Sequence, residues 1–405
     1  MFQETFRSLR HKNYRLFFIG QFFSLIGLWM HNVGQSWLVW ELTRSSFWLG
    51  VMGFISTIPI LFISLFAGVL ADRFSKLKLN FIIQFVALVQ AFALGYLVFT
   101  GLANFNNVAI LVFSLGVINA FEIPIRQSFT VELVGKDDLQ NAIGLNSAIF
   151  NTARIVGPII AGVVILNFGV AWCFFFNSIS YLAILVTMLL IKKNKLHRTE
   201  KEKENVFDSI KKGFDYIKSN REVLQTLLLV GVMTLFGWQY TVLLPVFADD
   251  IFNLGAKGLS SLYTANGFGA LFSALFIATT SKKVSAKIVM QSSIVIFILS
   301  AFAFALTNIF FVAMILMVGC GVGLVGFFVS ANSHFQNNIP HNLRGRLLGF
   351  YVIIFQGLHP FGSLFIGSLG KSFGVQMALI INVFICGIIS ILILKNYKTS
   401  LQANQ

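Results

Sequence analysis

Charged side chains are scarce in this chain, and acidic ones are scarcer than basic ones. Only 11% of the 405 residues are charged, with 15 Asp and Glu against 30 Lys and Arg. No acid occurs after Asp250, so the last 155 residues contain none. A soluble domain of this length needs a polar shell, and this balance therefore argues against a large soluble protein.

The sequence also lacks the motifs of most enzymes. Its three cysteines, Cys173, Cys320 and Cys386, lie in apolar segments without metal-ligand spacing or a disulfide framework. There is no H-E-x-x-H motif and no ATP-binding motif. A G-x-G-x-x-G pattern at 319–326 lies inside an apolar run and no acid follows it, which argues against a dinucleotide site. We therefore expect no enzyme activity, no metal site and no cofactor.

Apolar sequence is what the chain has in abundance. Hydrophobic residues make up 57% of it, and the mean hydropathy is +0.81. Twelve apolar runs are each long enough to cross about 30 Å of hydrocarbon. We number these predicted spans 1 to 12, at 16–40, 47–71, 79–100, 107–125, 141–166, 171–191, 223–248, 259–280, 286–306, 309–330, 346–368 and 375–394. The pattern predicts an all-α membrane protein with twelve transmembrane helices in a lipid bilayer.

The net charge of +15 follows the arrangement of the spans and does not indicate a nucleic-acid partner. The termini and the even-numbered connections hold 26 of the 30 Lys and Arg, whereas the odd-numbered connections hold three. Basic residues concentrate on the cytoplasmic side of membrane proteins. This split predicts a multi-pass protein of the inner (cytoplasmic) membrane with both termini in the cytoplasm.

The chain divides into two similar halves. A charged run at 192–205 is followed by an amphipathic segment at 206–218, which predicts a helix on the cytoplasmic surface. We therefore predict a six-helix bundle at 1–191, a linker at 192–221 and a second six-helix bundle at 222–405. Residues 205 positions apart match through spans 4 to 6 and 10 to 12: Gly116 with Gly321, Ser128 with Ser333, Gly144 with Gly349, Gly157 with Gly362, Gly162 with Gly367, and Asn177 with Asn382. This series indicates two parallel repeats.

The segment GVLADRFSKLK at 68–78 joins predicted spans 2 and 3, and it resembles a loop motif of the major facilitator superfamily. Ser75 and Leu77 depart from the family pattern. In that family the element latches the two halves on the cytoplasmic side, through contacts that differ between states. A solvated loop that only sets the topology is the alternative interpretation. The resemblance implies a gating role for the matching residues Gly68, Asp72, Arg73 and Lys76.

A second motif, ARIVGPIIAG at 153–162 in span 5, resembles the fifth-helix motif of exporters in this superfamily. The matching residues are Gly157, Pro158 and Gly162. The wider run at 123–158 is similar to the branch that contains enterobactin-type siderophore exporters and macrolide efflux proteins. The resemblance covers nearly the whole chain and implies the major facilitator fold, alternating access and export of a small molecule. Close helix packing and a proline bend also explain the motif.

Three polar side chains lie deep in the predicted spans. Arg154 falls near the middle of span 5, where a guanidinium facing lipid is costly, so we expect it to face protein or water. It either holds an anionic group of the substrate or braces span 5 against span 1. His359 is the residue 205 positions after Arg154, and His31 in span 1 reaches a similar depth. Each imidazole is either a candidate for proton transfer or a structural residue with satisfied hydrogen bonds.

Carboxylates that could couple transport to protons are confined to the first half and to the ends of span 7. Glu122 is predicted near the cytoplasmic end of span 4, one turn before Arg126, where an i,i+4 ion pair is the plain explanation. Glu41 lies near the outer end of span 1. These residues are coupling candidates, with ion-paired or solvated helix ends as the alternative. Asn119 and Gln239 are candidates for hydrogen bonds to a substrate.

These features lead to one main hypothesis. The chain is predicted to be a secondary transporter that exports a siderophore-like metabolite or a macrolide-type drug, with protons as the coupling ion. Arg154, His31 and His359, without a central carboxylate, favour an anionic, zwitterionic or neutral substrate over a lipophilic cation. The alternatives are an importer of the same fold, a non-transporting receptor and a membrane-embedded enzyme.

Overall fold

The computed structural model describes residues 6–192, 206–280, 283–340 and 343–402, and within these ranges it contains helices and no strand. Twelve helical segments are long and apolar enough to cross a membrane. They begin and end as follows: Lys12–Thr43, Ser46–Arg73, Lys76–Phe99, Phe105–Val134, Leu139–Phe168, Ala171–Leu189, Arg221–Ile251, Gly255–Thr280, Ala286–Leu306, Phe310–Asn337, the pair Arg344–Gly357 and His359–Phe373, and Val375–Gln402. The predicted count and positions of the spans are confirmed, and we keep their numbers.

Two spans are interrupted, which the apolar pattern did not predict. Span 7 contains two π-helical stretches, Met233–Gly237 and Phe247–Ile251. Span 11 is broken at Leu358, because Pro360 in the next turn has no N–H to donate to a preceding carbonyl. Such irregular backbone leaves carbonyl groups outside the regular helical ladder and often occurs at functional sites.

The helices form two compact units, each with its own apolar core. Unit 1 comprises Met1–Arg44, Ile55–Lys201 and Leu254–Thr264, and unit 2 comprises Ser45–Phe54, Glu202–Asn253 and Ala265–Gln405. In unit 1, the buried rings of Phe17 and Phe129 meet edge to face at 5.4 Å. In unit 2, the rings of Phe247 and Phe304 are 4.8 Å apart. Each core joins elements that are distant in sequence, as the burial of apolar surface requires.

The internal repeat is visible in matching contacts within the two units. Asn177 of span 6 donates to the Nδ1 atom of His31 (3.1 Å), and Asn382 of span 12 donates to the carbonyl oxygen of Phe236 (2.5 Å). Residues 31 and 236 are also 205 positions apart. Spans 5 and 11 end before Gly169 and Gly374, with φ angles of 88° and 79° that favour glycine.

The predicted surface helix is present at Val206–Ser219. Its Ile217 is buried, and the Tyr216 hydroxyl donates to the carbonyl oxygen of Asn338 (3.2 Å). Phe214 stays 47% exposed, with the Lys218 ammonium 4.7 Å from its ring centroid. This arrangement places an apolar side chain and a cation together on the outside of the helix, as in interfacial helices. The charged run at 193–205 lies outside the described residues.

Asp138, just before span 5, binds the N-terminal segment. Its two carboxylate oxygens contact Arg7 Nε and His11 Nε2, the latter at 2.7 Å. The backbone N–H of Ser8 donates to Asn141 Oδ1 (2.9 Å), and the Ser8 hydroxyl donates to the carbonyl oxygen of Asp138 (2.9 Å). No sequence pattern predicted this docking, because the contacts join residues about 130 positions apart.

Protonation of Asp138 should release this segment. The hydrogen bond from His11, followed by the bond and charge of Arg7, holds the pKa of Asp138 below its ordinary value of 3.8. A lowered carboxyl pKa stabilises the docked form above the ordinary value, and that contribution is lost as the pH falls through the lowered pKa. We expect Asp138→Asn to speed hydrogen exchange of residues 7–11 about 10-fold at pH 7, measured by mass spectrometry.

Asp137 supplies the control for this experiment. It accepts from Arg7 only through its backbone carbonyl (2.8 Å), so Asp137→Asn should keep the wild-type protection. Equal protection in the two variants at pH 7 would contradict the role of the Asp138 carboxylate.

Candidate substrate site

Two glycines of span 5 allow close approach of neighbouring helices within unit 1. A Cβ on Gly157 would meet the Cβ of Trp29 and lie 3.0 Å from the carbonyl oxygen of Ile26. A Cβ on Gly162 would lie 2.8 Å from the Cβ of Ser260. Neither glycine position has room for a methyl group. The exporter-like motif therefore allows span 5 to pack closely against its neighbours. Pro158 is buried inside the same helix.

Adding a methyl group at Gly157 should therefore destabilise the protein. Because the opposing atoms include backbone, we expect Gly157→Ala to cost about 1–3 kcal/mol and to lower the melting temperature by about 1–4 °C. Gly144→Ala, in the same helix, is the matched control, since a Cβ there meets nothing within 4 Å. It should leave stability unchanged or slightly raised. Thermal melts of the purified chain, followed by size-exclusion chromatography, test both variants; equal melting temperatures would refute the packing role.

The close approach at Gly157 sets Trp29 against Arg154. The guanidinium carbon of Arg154 lies 5.6 Å from the centroid of the Trp29 ring, and Trp29 meets Phe150 edge to face at 5.7 Å. Only 6% of Arg154 is exposed. Tyr263, from the part of span 8 that belongs to unit 1, lies close to Arg154 and Ser36. We call Trp29, Phe150, Arg154 and Tyr263 the Arg154 cluster.

The chemistry of the Arg154 cluster suits an anion. The guanidinium, the indole N–H and the phenol O–H are all hydrogen-bond donors. The Trp29 Nε1 atom is buried and has no hydrogen-bond partner among the residues that the structure describes. A stacked, desolvated guanidinium with a donor beside it can bind a carboxylate or another anionic group. The same stacking on Trp29 also braces span 5 against span 1, so both predicted roles of Arg154 have a structural basis.

His31 is fully buried, and both of its ring nitrogens are occupied. Nδ1 accepts from the Asn177 amide (3.1 Å), and Nε2 lies 3.3 Å from Gln35 Oε1, to which it can donate. The ring also meets Phe174 edge to face at 4.9 Å. This pattern needs only one ring proton, because Asn177 already donates to Nδ1. The contacts favour the structural interpretation of His31 over proton transfer.

Glu122 lies deeper in span 4 than the sequence predicted. The helix continues to Val134, so Glu122 is 12 residues before its end, whereas the predicted bounds of 107–125 put it three residues before the end. The expected i,i+4 ion pair is present, with Arg126 Nε 3.3 Å from Glu122 Oε1, and both side chains are mostly buried. Gln84 of span 3 also donates to this carboxylate (3.4 Å). The apolar pattern missed the extension because "EIPIRQSFTVELV" carries three charges, although it continues the helix.

The other polar candidates differ in their surroundings. Glu41 is exposed, two residues before span 1 ends at Thr43. Asn119 is half-buried on span 4, one turn before Glu122. A carboxylate inside a span is better suited to carry protons than a solvated one at its end. Of the two predicted carboxylates, Glu122 therefore has the more suitable position.

The predicted gating loop is mostly helical. Span 2 continues to Arg73 and span 3 begins at Lys76, so only Phe74 and Ser75 lie between them, and the prediction of a longer connection is corrected. Lys76 forms an ion pair with Glu132 of span 4 (2.5 Å). The surroundings of Gly68, Asp72 and Arg73 lie outside the described part of the structure.

Gln239 and His359 come together in unit 2. The Gln239 amide donates to the carbonyl oxygens of Thr234 (2.8 Å) and His359 (3.3 Å). Trp238 lies beside the His359 ring, with centroids 6.4 Å apart. Gln239 is fully buried, whereas His359 is half-buried as the first residue after the break at Leu358. Across the described residues of the chain, no group of three or more His, Cys, Asp or Glu could hold a metal ion.

Residues 3–404 match the family model described as transmembrane secretion effector. The chain belongs to this family of major facilitator transporters. The match spans nearly the whole sequence, and together with the twelve spans it confirms the predicted superfamily and fold class.

Named relatives of this chain include siderophore and drug transporters. A staphyloferrin A transporter of Staphylococcus aureus is 27% identical over 371 residues, which cover 89% of this chain and 90% of the relative. The multidrug efflux pump Tap of Mycolicibacterium fortuitum is 23% identical, covering 89% and 90%. The enterobactin exporter EntS of Salmonella typhi is 23% identical, covering 89% and 86%.

Solved structures share the fold at low identity. A bacterial homolog of the human lysosomal transporter Spinster, in an inward-facing and unoccupied conformation, has a TM-score of 0.77 and 11% identity, covering 97% of this chain and 98% of that one. A bacterial homologue of the iron transporter ferroportin has a TM-score of 0.69 and 15% identity, covering 94% and 98%. At these identities the likeness establishes the fold alone.

Proposed function

We propose that this chain exports a small anionic or zwitterionic metabolite by alternating access. The observation that carries the proposal is the Arg154 cluster, in which a buried guanidinium and an unpartnered indole N–H lie together in one unit. Families of transporters with parallel repeats bind their substrates near the membrane midplane. The relatives named for siderophores and drugs support an exported organic molecule, in preference to an inorganic ion.

Protons are the proposed coupling ion, with Glu122 as the carrier. The carboxyl group lies inside span 4 and is held by Arg126 and Gln84, so loss or gain of a proton changes an ion pair inside the bundle. His31 is less suited, since both of its nitrogens have partners. The distribution of Lys and Arg supports an inner-membrane location with both termini in the cytoplasm. This orientation places Asp138 and Lys76 on the cytoplasmic side.

Inside-out membrane vesicles test direction and coupling together. The probe is the concentrated growth-medium extract of cells that express the chain, with uptake of each component followed by mass spectrometry. We expect at least one organic anion to enter the vesicles when their interior is acidified, and uptake to stop when an ionophore collapses the gradient. Uptake that does not depend on the gradient would overturn proton coupling. Uptake only by right-side-out vesicles would overturn export and favour an importer.

A further inference from the structure

The Arg154 cluster has a counterpart of different chemistry in unit 2. Phe150 and Arg154 of span 5 correspond, at the offset of 205 residues, to Phe355 and His359 of span 11. In unit 1, Trp29 lies beside both members of the first pair. In unit 2, Trp238 of span 7 lies beside both members of the second, with ring centroids 6.0 Å from Phe355 and 6.4 Å from His359.

Trp29 and Trp238 are not related by the offset of 205 residues. Residue 234, which corresponds to Trp29, is Thr234, and Trp238 follows it one turn later. The π-helical stretch Met233–Gly237 contains the first of these positions and ends just before the second. The wider turn changes the direction of the side chains that follow it, so Trp238 rather than residue 234 meets Phe355 and His359.

Three polar atoms of this second site are buried and lack hydrogen-bond partners among the described residues. Both contacts of the Gln239 amide nitrogen are with carbonyl oxygens, so its Oε1 atom must point the other way. Gln239 Oε1, Thr234 Oγ1 and His359 Nδ1 are buried, and no described residue makes a hydrogen bond to any of them. Buried polar atoms that lack partners in a native fold call for an explanation, and a ligand supplies one.

The walls of the site are aromatic, and none of its residues is a carboxylate. Trp238, Phe328 and Phe355 pack together, with ring centroids 4.8 to 6.0 Å apart. Trp238 and Phe355 remain half-buried, so each keeps part of its ring surface accessible. No acid occurs after Asp250, and none lies in span 7 between Glu222 and Asp249. The site therefore suits an uncharged group far better than a cation.

We propose that Trp238, Gln239, Phe355 and His359, together with Thr234 and Phe328, form a second substrate-contact site. We call it the His359 cluster. It binds a planar, uncharged group that carries a hydroxyl or amide N–H, such as a phenol ring. The group packs on the rings of Trp238 and Phe355 and donates its hydrogen bond to Gln239 Oε1 or His359 Nδ1. The inference rests on the proposed function, and it extends the substrate from an anion to an anion with an aromatic or other planar polar part.

Fluorine NMR of the full chain tests the proposal without measuring transport. The chain has six tryptophans, so 5-fluorotryptophan labelling gives six signals, and Trp238→Phe identifies the one from Trp238. The probe is phenol. We expect phenol to shift the Trp238 signal in a saturable way, with the five other signals as references. Toluene has the aromatic ring without the donor, and cyclohexanol has the donor without a planar aromatic ring. Each should bind at least about 10-fold more weakly.

Variants separate the site from general partitioning of phenol into detergent. Gln239→Leu, and independently His359→Phe, should weaken phenol binding about 10-fold, because each removes an acceptor. Phe365→Leu is the matched control: Phe365 also joins span 11 to span 7, through Phe236 at 5.7 Å, but it lies six residues beyond His359. It should leave phenol binding unchanged. If both acceptor variants fold poorly, Phe355→Leu provides the same test through the aromatic wall.

The outcomes distinguish this proposal from the proposed export function. The proposed site would be overturned if phenol does not shift the Trp238 signal, or shifts it no more than toluene does. Ordered water would then be the partner of the buried polar atoms. Saturable phenol binding in a chain that transports nothing would support the site and overturn the export function. Phenol binding should also survive Arg154→Gln, because the Arg154 cluster belongs to the other unit.

Discussion

Arg154→Gln is expected to lower the export rate at least about 100-fold while leaving the chain folded. The substitution removes a buried guanidinium that supplies charge and planar donors to an anion, and losing one partner of such a pair costs about 2–5 kcal/mol. Arg154→Lys keeps the charge but loses the planar geometry, so we expect a loss of about 10-fold. Export of the vesicle-transported compound and thermal melting should both be measured.

Arg44 provides a matched control for this experiment. Its guanidinium also lies over a tryptophan, 5.5 Å from the centroid of Trp40, but at the exposed end of span 1. Arg44→Gln should change export less than about twofold, since exposed charges contribute little. If Arg154→Lys exports at the wild-type rate and Arg154→Gln only melts earlier, then Arg154 braces span 5 against span 1 and does not bind the substrate.

Glu122→Gln is expected to abolish the dependence of export on the proton gradient. A glutamine keeps the size of the side chain and can still contact Gln84, but it neither titrates nor pairs ionically with Arg126. Flux with and without an imposed gradient should become equal in inside-out vesicles, while exchange of substrate across the membrane continues. A non-titrating group at the coupling site removes the link between proton binding and the transport cycle.

Glu132→Gln separates coupling from the loss of an ion pair. Glu132 lies on the same helix and pairs with Lys76 at 2.5 Å. Its substitution should preserve the response to the gradient. A wild-type gradient response in Glu122→Gln would exclude Glu122 as the proton carrier and return attention to the remaining titratable groups, beginning with His359.

The fold was predictable because it depends on features that one sequence records directly. Apolar runs long enough to cross a bilayer mark the spans, and the 205-residue offset marks the repeat. The matching contacts of Asn177 and Asn382 show that the repeated residues occupy repeated places within the two units. The position of Arg154 in the middle of span 5 was predictable from its distance to the ends of the apolar run.

The interruptions in spans 7 and 11 depend on information of another kind. In a π-helical stretch each N–H bonds to the carbonyl five residues back instead of four, and apolar composition does not reveal this difference. Pro360 was a visible signal for the break at Leu358, since proline cannot continue the ladder. We nevertheless predicted one continuous span, because the sequence on both sides of Pro360 is apolar. Gln239 and His359 meet next to these interruptions. The sequence therefore identified both as candidate residues, but it could not predict that they lie together in one site.

Contacts between residues distant in the chain could not be predicted from the sequence either. From the sequence, His31 fits a proton carrier and a structural residue equally well. Only its hydrogen bonds to Asn177 and Gln35 distinguish the two interpretations. The docking of Arg7 and His11 on Asp138 likewise depends on how spans 1 and 5 meet. In both cases one side chain is chemically ambiguous, and its partners decide the role.

The central claim is that the chain exports an organic anion made by the cell. Its most direct test compares the medium and the cytoplasm by mass spectrometry in cells that carry the wild-type chain, the Arg154→Gln variant or no chain. Cultures are grown with and without iron, because relatives are named for siderophores. We expect an anionic compound that is lost from the medium and retained in the cytoplasm when the chain is absent or carries Arg154→Gln. If no compound changes place under either condition, the claim of metabolite export is wrong, and drug efflux or import becomes the function to test.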